Sequence, residues 1–245
     1  MDSILIIGQS NMAGRGFPSE VMPIKNERIY VMRSGMWRPM TVPINPDRPT
    51  AGISPAESFA DEYTKEFNTG VGIIPAADGG TSIEMWREGG ELFDNAVFLA
   101  GLAKRSTGVS AILWHQGESD CTEERAPRYK ARLRELIGAL RRHTGLWDIP
   151  FILGGLGDFL PMCKTEKLVC HEMINAASLE LSRELPMVGF ASAEGLSANP
   201  DNLHFSAKAQ REFGLRYFAE FKRLSAKDRE SENSDSPKLS AIELL

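Results

Sequence analysis

The stretch Ile4-Leu5-Ile6-Ile7-Gly8-Gln9-Ser10-Asn11-Met12-Ala13-Gly14-Arg15-Gly16 decides the fold. Consecutive apolar residues without polar alternation mark a strand covered on both faces, which points to a parallel sheet flanked by helices. Runs of the same kind recur at 71–77, 110–114, 151–153 and 187–191. Amphipathic stretches at 55–67, 91–105, 124–143 and 167–184 lie between or beside them. A last one at 206–222 carries Ala209, Phe213, Tyr217 and Phe221 on a single stripe. This alternation predicts an α/β fold built on a five-stranded parallel sheet.

Two segments break the rhythm. Residues 33–54 are rich in Pro, Gly and Arg, include Trp37, and read as a long loop that walls a pocket. Residues 225–237 are almost all polar or charged, too poor in apolar surface to offset their ordering entropy. The expectation is one domain over 1–224 and a disordered polar tail over 225–245. That tail holds two units of the net charge of -5, so the domain is closer to neutral than the whole chain. Nothing in this balance offers the basic footprint that nucleic acid requires, and no run of about 18 apolar residues is present to span a membrane.

Met1-Asp2-Ser3 carries no basic residue, and residues 4–7 are too short for the apolar core of a signal peptide, so a cytoplasmic location is expected. Cys121, Cys163 and Cys170 are an odd number in a core-forming chain and read as reduced thiols. Cys170-His171 matches none of the usual zinc spacings, so no metal site is expected.

In an open parallel sheet the ligand crevice lies beyond the carboxyl ends of the strands. Four segments fall there. Gly8 to Gly16 places Ser10 in a glycine-flanked turn, which serves either a nucleophile or a helix cap. It fits neither a phosphate-binding loop nor a dinucleotide fingerprint. Asp78-Gly79-Gly80-Thr81-Ser82-Ile83 is either a tight turn or a backbone approach that aims N–H groups at an oxyanion. Trp114-His115-Gln116-Gly117-Glu118-Ser119-Asp120 crowds an amide, an imidazole and two carboxylates behind a buried strand, a costly arrangement without a task. In Asp201-Asn202-Leu203-His204, a carboxylate three residues before an imidazole can fold back onto Nδ1 and leave Nε2 facing outward. The competing reading of that last segment is an Asx-type turn with Ser206 as a helix cap.

Together, Gly8-Gln9-Ser10-Asn11-Met12, Gly79-Gly80-Thr81-Ser82-Ile83, Trp114-His115-Gln116-Gly117-Glu118-Ser119-Asp120 and Asp201-Asn202-Leu203-His204 resemble the conserved blocks of the SGNH-hydrolase superfamily. The resemblance is to the branch holding sialate O-acetylesterases and the acetylxylan esterases of carbohydrate esterase family 6, and it spans residues 8 to about 222. It implies a flavodoxin-like three-layer α/β/α sandwich and a serine esterase of O-acetylated carbohydrate that needs no metal or other cofactor. By motif position it implies Ser10 as nucleophile, His204 as general base and then acid, and Asp201 as the carboxylate orienting His204. It implies an oxyanion hole from the N–H groups of Ser10 and Gly80 and the side-chain amide of Gln116.

Other residues of the blocks stay open. Gln9 and Asn11 are candidates for binding substrate or bracing the site. Glu118 reads as a brace for Gln116 or His204, an acceptor for a sugar hydroxyl, or a substitute for Asp201. Arg15 either binds a substrate carboxylate or pairs with a structural acid. Trp37 and Trp86 are sugar-stacking platforms or loop anchors. The expected partner is a small-molecule or oligosaccharide acetyl ester. The competing functions are an esterase of the same fold acting on a thioester, lipid or peptidoglycan O-acetyl group, and a silent carbohydrate-binding protein.

Overall fold

The computed structural model describes residues 1–235, and its centre is a sheet of seven strands rather than five. They are β1 (Asp2–Gly8), β2 (Ile29–Arg33), β3 (Met36–Pro39), β4 (Val71–Pro75), β5 (Gly108–His115), β6 (Phe151–Gly154) and β7 (Val188–Ala191), in the order β3-β2-β4-β1-β5-β6-β7. All pair in parallel except β3, which runs antiparallel to β2 at one edge. The two extra strands lie where the sequence carries no clean apolar run: half-buried Tyr30 and Arg33 interrupt the buried Ile29, Val31 and Met32 of β2, and β3 exposes Met36, Arg38 and Pro39 at the margin of the sheet. Strand β3 also replaces part of the loop expected at 33–54.

The helices are α1 (Ser10–Ala13), α2 (Pro55–Phe67), α3 (Glu91–Ala103), α4 (Ala126–Thr144), α5 (His171–Glu184) and α6 (Ala207–Asp235). α2 and α6 pack together on one face of the sheet, and α3, α4 and α5 follow one another on the other, giving the three layers. Helix α2 starts at Ser54, whose hydroxyl accepts from Ala56 N–H while Glu57 reaches back to the Ser54 N–H. The other Glu57 oxygen lies 2.7 Å from the Arg211 guanidinium on α6, so the capping residue also ties the two helices. Helix α6 runs on through 225–235, where an unstructured tail was expected. Ala226, Lys227, Arg229, Glu230 and Glu232 favour helix, and no proline intervenes before Pro237. The remainder of that tail, 236–245, lies outside the described residues.

Ile4, Leu5, Ile6 and Ile7 are fully buried, as a central strand covered by both helical layers requires. Beyond them Gly8 turns the chain with φ 124°, and a Cβ there would stand 2.0 Å from the His115 carbonyl oxygen on β5. Gly8→Ala therefore forces strand separation as well as an unfavourable φ. It is expected to cost about 3 kcal/mol or more, read as a fall in Tm of roughly 6–12 °C. An unchanged Tm would contradict this account of the turn.

The chain leaves β1 for one side of the sheet and later returns to build the other, so β1 is the topological switch point. The crevice beside its carboxyl end is where a ligand fits.

Candidate active site

Ser10 opens α1 immediately beyond β1, with Gln9 as the extended residue between them. Its Oγ lies 3.0 Å from His204 Nε2, and His204 Nδ1 lies 2.7 Å from Asp201 Oδ2. The other Asp201 oxygen accepts the backbone N–H groups of Leu203 (2.9 Å) and His204 (3.0 Å), which fixes the one-turn return of the carboxylate onto the ring. Burial pushes the Asp201 carboxyl up, but these two N–H groups and the His204 ring outweigh it and hold the group below the ordinary aspartate range. The Asx-type turn and the Asp–His pair thus coexist. Ser206 also caps α6 by accepting the Ala209 N–H.

Asn11 holds these two distant parts of the chain together. Its amide nitrogen donates to Leu203 O (3.2 Å) and to Glu118 Oε1 (2.5 Å), and its oxygen accepts the Phe205 N–H (3.1 Å). The base loop is therefore clamped on both sides of His204. Gln9 braces a different pair of segments, accepting the N–H groups of Gly117 and Ser119 at 3.4 Å.

Glu118 is buried and bonds Asn11 and His115 Nε2 (3.0 Å), with no bond to His204 or Asp201. Burial acts to raise its carboxyl, and His115 and Asn11 reverse this, leaving it below the usual range. It is a brace under the serine turn, and the alternatives of sugar acceptor and substitute for Asp201 do not fit its position.

Gly79 sits against the serine: a Cβ there would stand 3.5 Å from Ser10 Cβ. Among the described residues, neither the Ser10 N–H nor the Gly80 N–H has a hydrogen-bond partner, so both remain available to an oxyanion. Gln116 does not match its expected role. Its amide nitrogen donates to Thr81 O (2.9 Å) and Asp120 Oδ2 (2.6 Å), which occupies both hydrogens. The reason is the short turn at 118–120, which folds Asp120 back within reach of the amide four residues earlier. Gln116 thus ties the Gly79–Gly80 turn to β5 and is not a free third donor.

Arg15 is buried and both its terminal nitrogens are engaged. It grips Asp47 through two bonds of 3.0 and 2.7 Å, both side chains buried, so the reading as a structural ion pair holds. Neither tryptophan is a sugar platform. Trp86 is fully buried, bonds Thr81 and packs edge-on against Trp114, while the Trp37 ring lies over Gly72 and its nitrogen donates to Ser106.

Asp47 and Arg48 are the residues that motif reasoning missed. Their segment, Asn45-Pro46-Asp47-Arg48-Pro49, runs beside 77–79. Asn45 exchanges two bonds with the backbone of Ala77, and Asp47 accepts the Gly79 N–H. An acid–base pair set between prolines within a long loop was the available signal. Among the described residues, no group of three His, Cys, Asp or Glu side chains is placed to hold a metal ion, and no helix is long and apolar enough to cross a membrane.

The α/β/α sheet, with a serine beyond its first strand and an Asp-x-x-His turn before its last helix, is similar in fold to the SGNH hydrolases. Residues 1–223 match the carbohydrate esterases described as sialic acid-specific acetylesterases, and the chain belongs to that family. It is a carboxylic ester hydrolase. A probable carbohydrate esterase of Arabidopsis thaliana is 29% identical over 239 residues, covering 86% of each chain. The solved structure of that Arabidopsis protein superposes with a TM-score of 0.81 at 27% identity, over 91% of this chain and 98% of its own. NanS has a TM-score of 0.72 at 16% identity, over 92% of this chain and 98% of its own. A carbohydrate acetylesterase of Xanthomonas citri gives 0.69 at 20%, over 92% of this chain and 57% of its own. These last two support the fold.

Proposed function

We propose that this chain removes acetyl groups from an O-acetylated sugar of small or oligosaccharide size by a serine acyl-enzyme route. The observation that carries the reading is the continuous line from Asp201 Oδ2 through the His204 ring to Ser10 Oγ, with steps of 2.7 and 3.0 Å. A serine hydroxyl becomes an effective nucleophile when a neighbouring imidazole takes its proton, and the imidazolium then gains from the carboxylate beside it.

Ser10 Oγ attacks the acetyl carbonyl carbon as its proton passes to His204 Nε2. The carbonyl oxygen takes up the negative charge and is met by the N–H groups of Ser10 and Gly80. Collapse breaks the bond to the sugar oxygen, which leaves with the proton from His204. A water then gives a proton to His204 and attacks the acetyl-serine; acetate departs and Ser10 recovers its proton. The names of the relatives support the choice of sugar ester. The half-exposed Asp201 and the partly exposed His204 leave the leaving-group side open to a bulky alcohol.

The test is acetate release from O-acetylated sialic acid, acetylated xylo-oligosaccharides and acetylated monosaccharides, alongside p-nitrophenyl esters of increasing acyl length. Acetyl release from at least one sugar and a preference for acetyl over octanoyl are expected. A preference for long acyl chains with no sugar hydrolysed would overturn the reading.

A further inference from the structure

The Gly79–Gly80 peptide unit carries an N–H, on Gly80, that has no partner among the described residues, and a C=O, on Gly79, that accepts from Arg48. Such a unit has no Cβ on either side, and Gly80 has φ 78°, so little intrinsic resistance opposes rotation of the peptide plane. Rotation would replace the donor at the oxyanion position by a carbonyl oxygen, turning stabilisation into repulsion. Something outside the turn has to hold the plane.

Two adjacent residues of the 40–54 loop hold the chain on either side of the Gly79 Cα: Arg48 bonds the Gly79–Gly80 unit itself, and Asp47 the Asp78–Gly79 unit before it. Asp47 Oδ2 accepts the Gly79 N–H at 2.8 Å, and Arg48 Nη2 donates to the Gly79 C=O at 3.1 Å. Both polar groups flanking Gly79 are thereby taken from one side. Each partner is itself held: Asp47 by the two bonds from Arg15, and Arg48 by Asp78 Oδ1 at 2.8 Å. Pro46 and Pro49 restrict the backbone around the pair. The segment is joined again to the end of β4 through Asn45 and Ala77.

We propose that Arg48 is a positioning residue that locks the Gly79–Gly80 peptide plane, with Asp47 fixing the Asp78–Gly79 plane before it, so that the Gly80 N–H is already aimed at the acyl oxygen before substrate arrives. The inference rests on the serine esterase reading above. Arg48 acts here through the peptide and does not bind a substrate carboxylate; its guanidinium is shared between Asp78 and Gly79 O.

Arg48 is exposed, so Arg48→Met is expected to fold with an unchanged Tm. Its kcat should fall about tenfold to thirtyfold, less than the loss of a whole oxyanion donor, while KM stays within about twofold. The loss should be equal on neutral p-nitrophenyl acetate and on anionic O-acetylated sialic acid. Inactivation by a p-nitrophenyl alkylphosphonate, whose P=O oxygen needs the same N–H groups, should slow in proportion to kcat. Arg48→Lys, which keeps a donor, should recover part of the loss. An unchanged kcat on p-nitrophenyl acetate would overturn the proposal, and so would a loss confined to the anionic substrate or a rise in KM alone. Failure of the esterase reading is separable, since the wild-type chain would then neither hydrolyse these esters nor react with the phosphonate.

Discussion

Ser10→Ala is expected to lower kcat on p-nitrophenyl acetate by about 10⁴- to 10⁶-fold. It should also abolish labelling by a fluorophosphonate. The hydroxyl lies 3.0 Å from His204 Nε2, and alanine leaves the ring no side-chain oxygen to activate at this position. Alanine removes one oxygen from a turn held by Gln9, Asn11 and Gly8, so Tm should stay close to that of the wild type. A variant that keeps full activity would end the acyl-enzyme route, and one that unfolds would show the hydroxyl to be part of the turn's scaffold.

Asp201→Asn is expected to cost about 10⁴-fold in kcat with the fold intact. The asparagine oxygen can still accept the Leu203 and His204 N–H groups, which preserves the turn. Its NH₂ group then faces His204 Nδ1, where a carboxylate oxygen accepted before. A donor there favours the tautomer that carries its hydrogen on Nε2, and that nitrogen can no longer take the proton from Ser10. Retention of a third or more of the activity would show that the carboxylate is dispensable. In the wild type, the lowered Asp201 carboxyl adds stability that is fully present above about pH 4. That contribution is lost as the pH falls through the lowered value. Acid inactivation that starts well above pH 4 is therefore not caused by protonation of Asp201.

The parts of the molecule legible in the sequence are those that local pattern specifies. Ile4 to Ile7 could only be a central strand, and Asp201 and His204 are close enough in the chain to meet within one turn. The edge of the sheet was illegible because β3 is four residues long and lies half in solvent, so burial imposes no pattern on it. Gln116 was given a free amide because its competing acceptors, Thr81 O and Asp120, come from a second loop and from a fold-back that spacing alone does not dictate. The same holds for Arg15, whose partner Asp47 stands 32 residues further along a loop without recognisable pattern.

The clamp made by Asn11 joins a hydroxyl at position 10 to an imidazole at position 204, nearly the full breadth of the chain apart. A nascent polypeptide still missing that turn and α6 already contains the nucleophile turn and all seven strands of the sheet, yet lacks the imidazole that the acyl-enzyme reading needs to activate the serine. On the acyl-enzyme reading, ester hydrolysis waits until the 201–204 turn has docked, so turnover reports that docking, which a spectroscopic signal from the sheet does not.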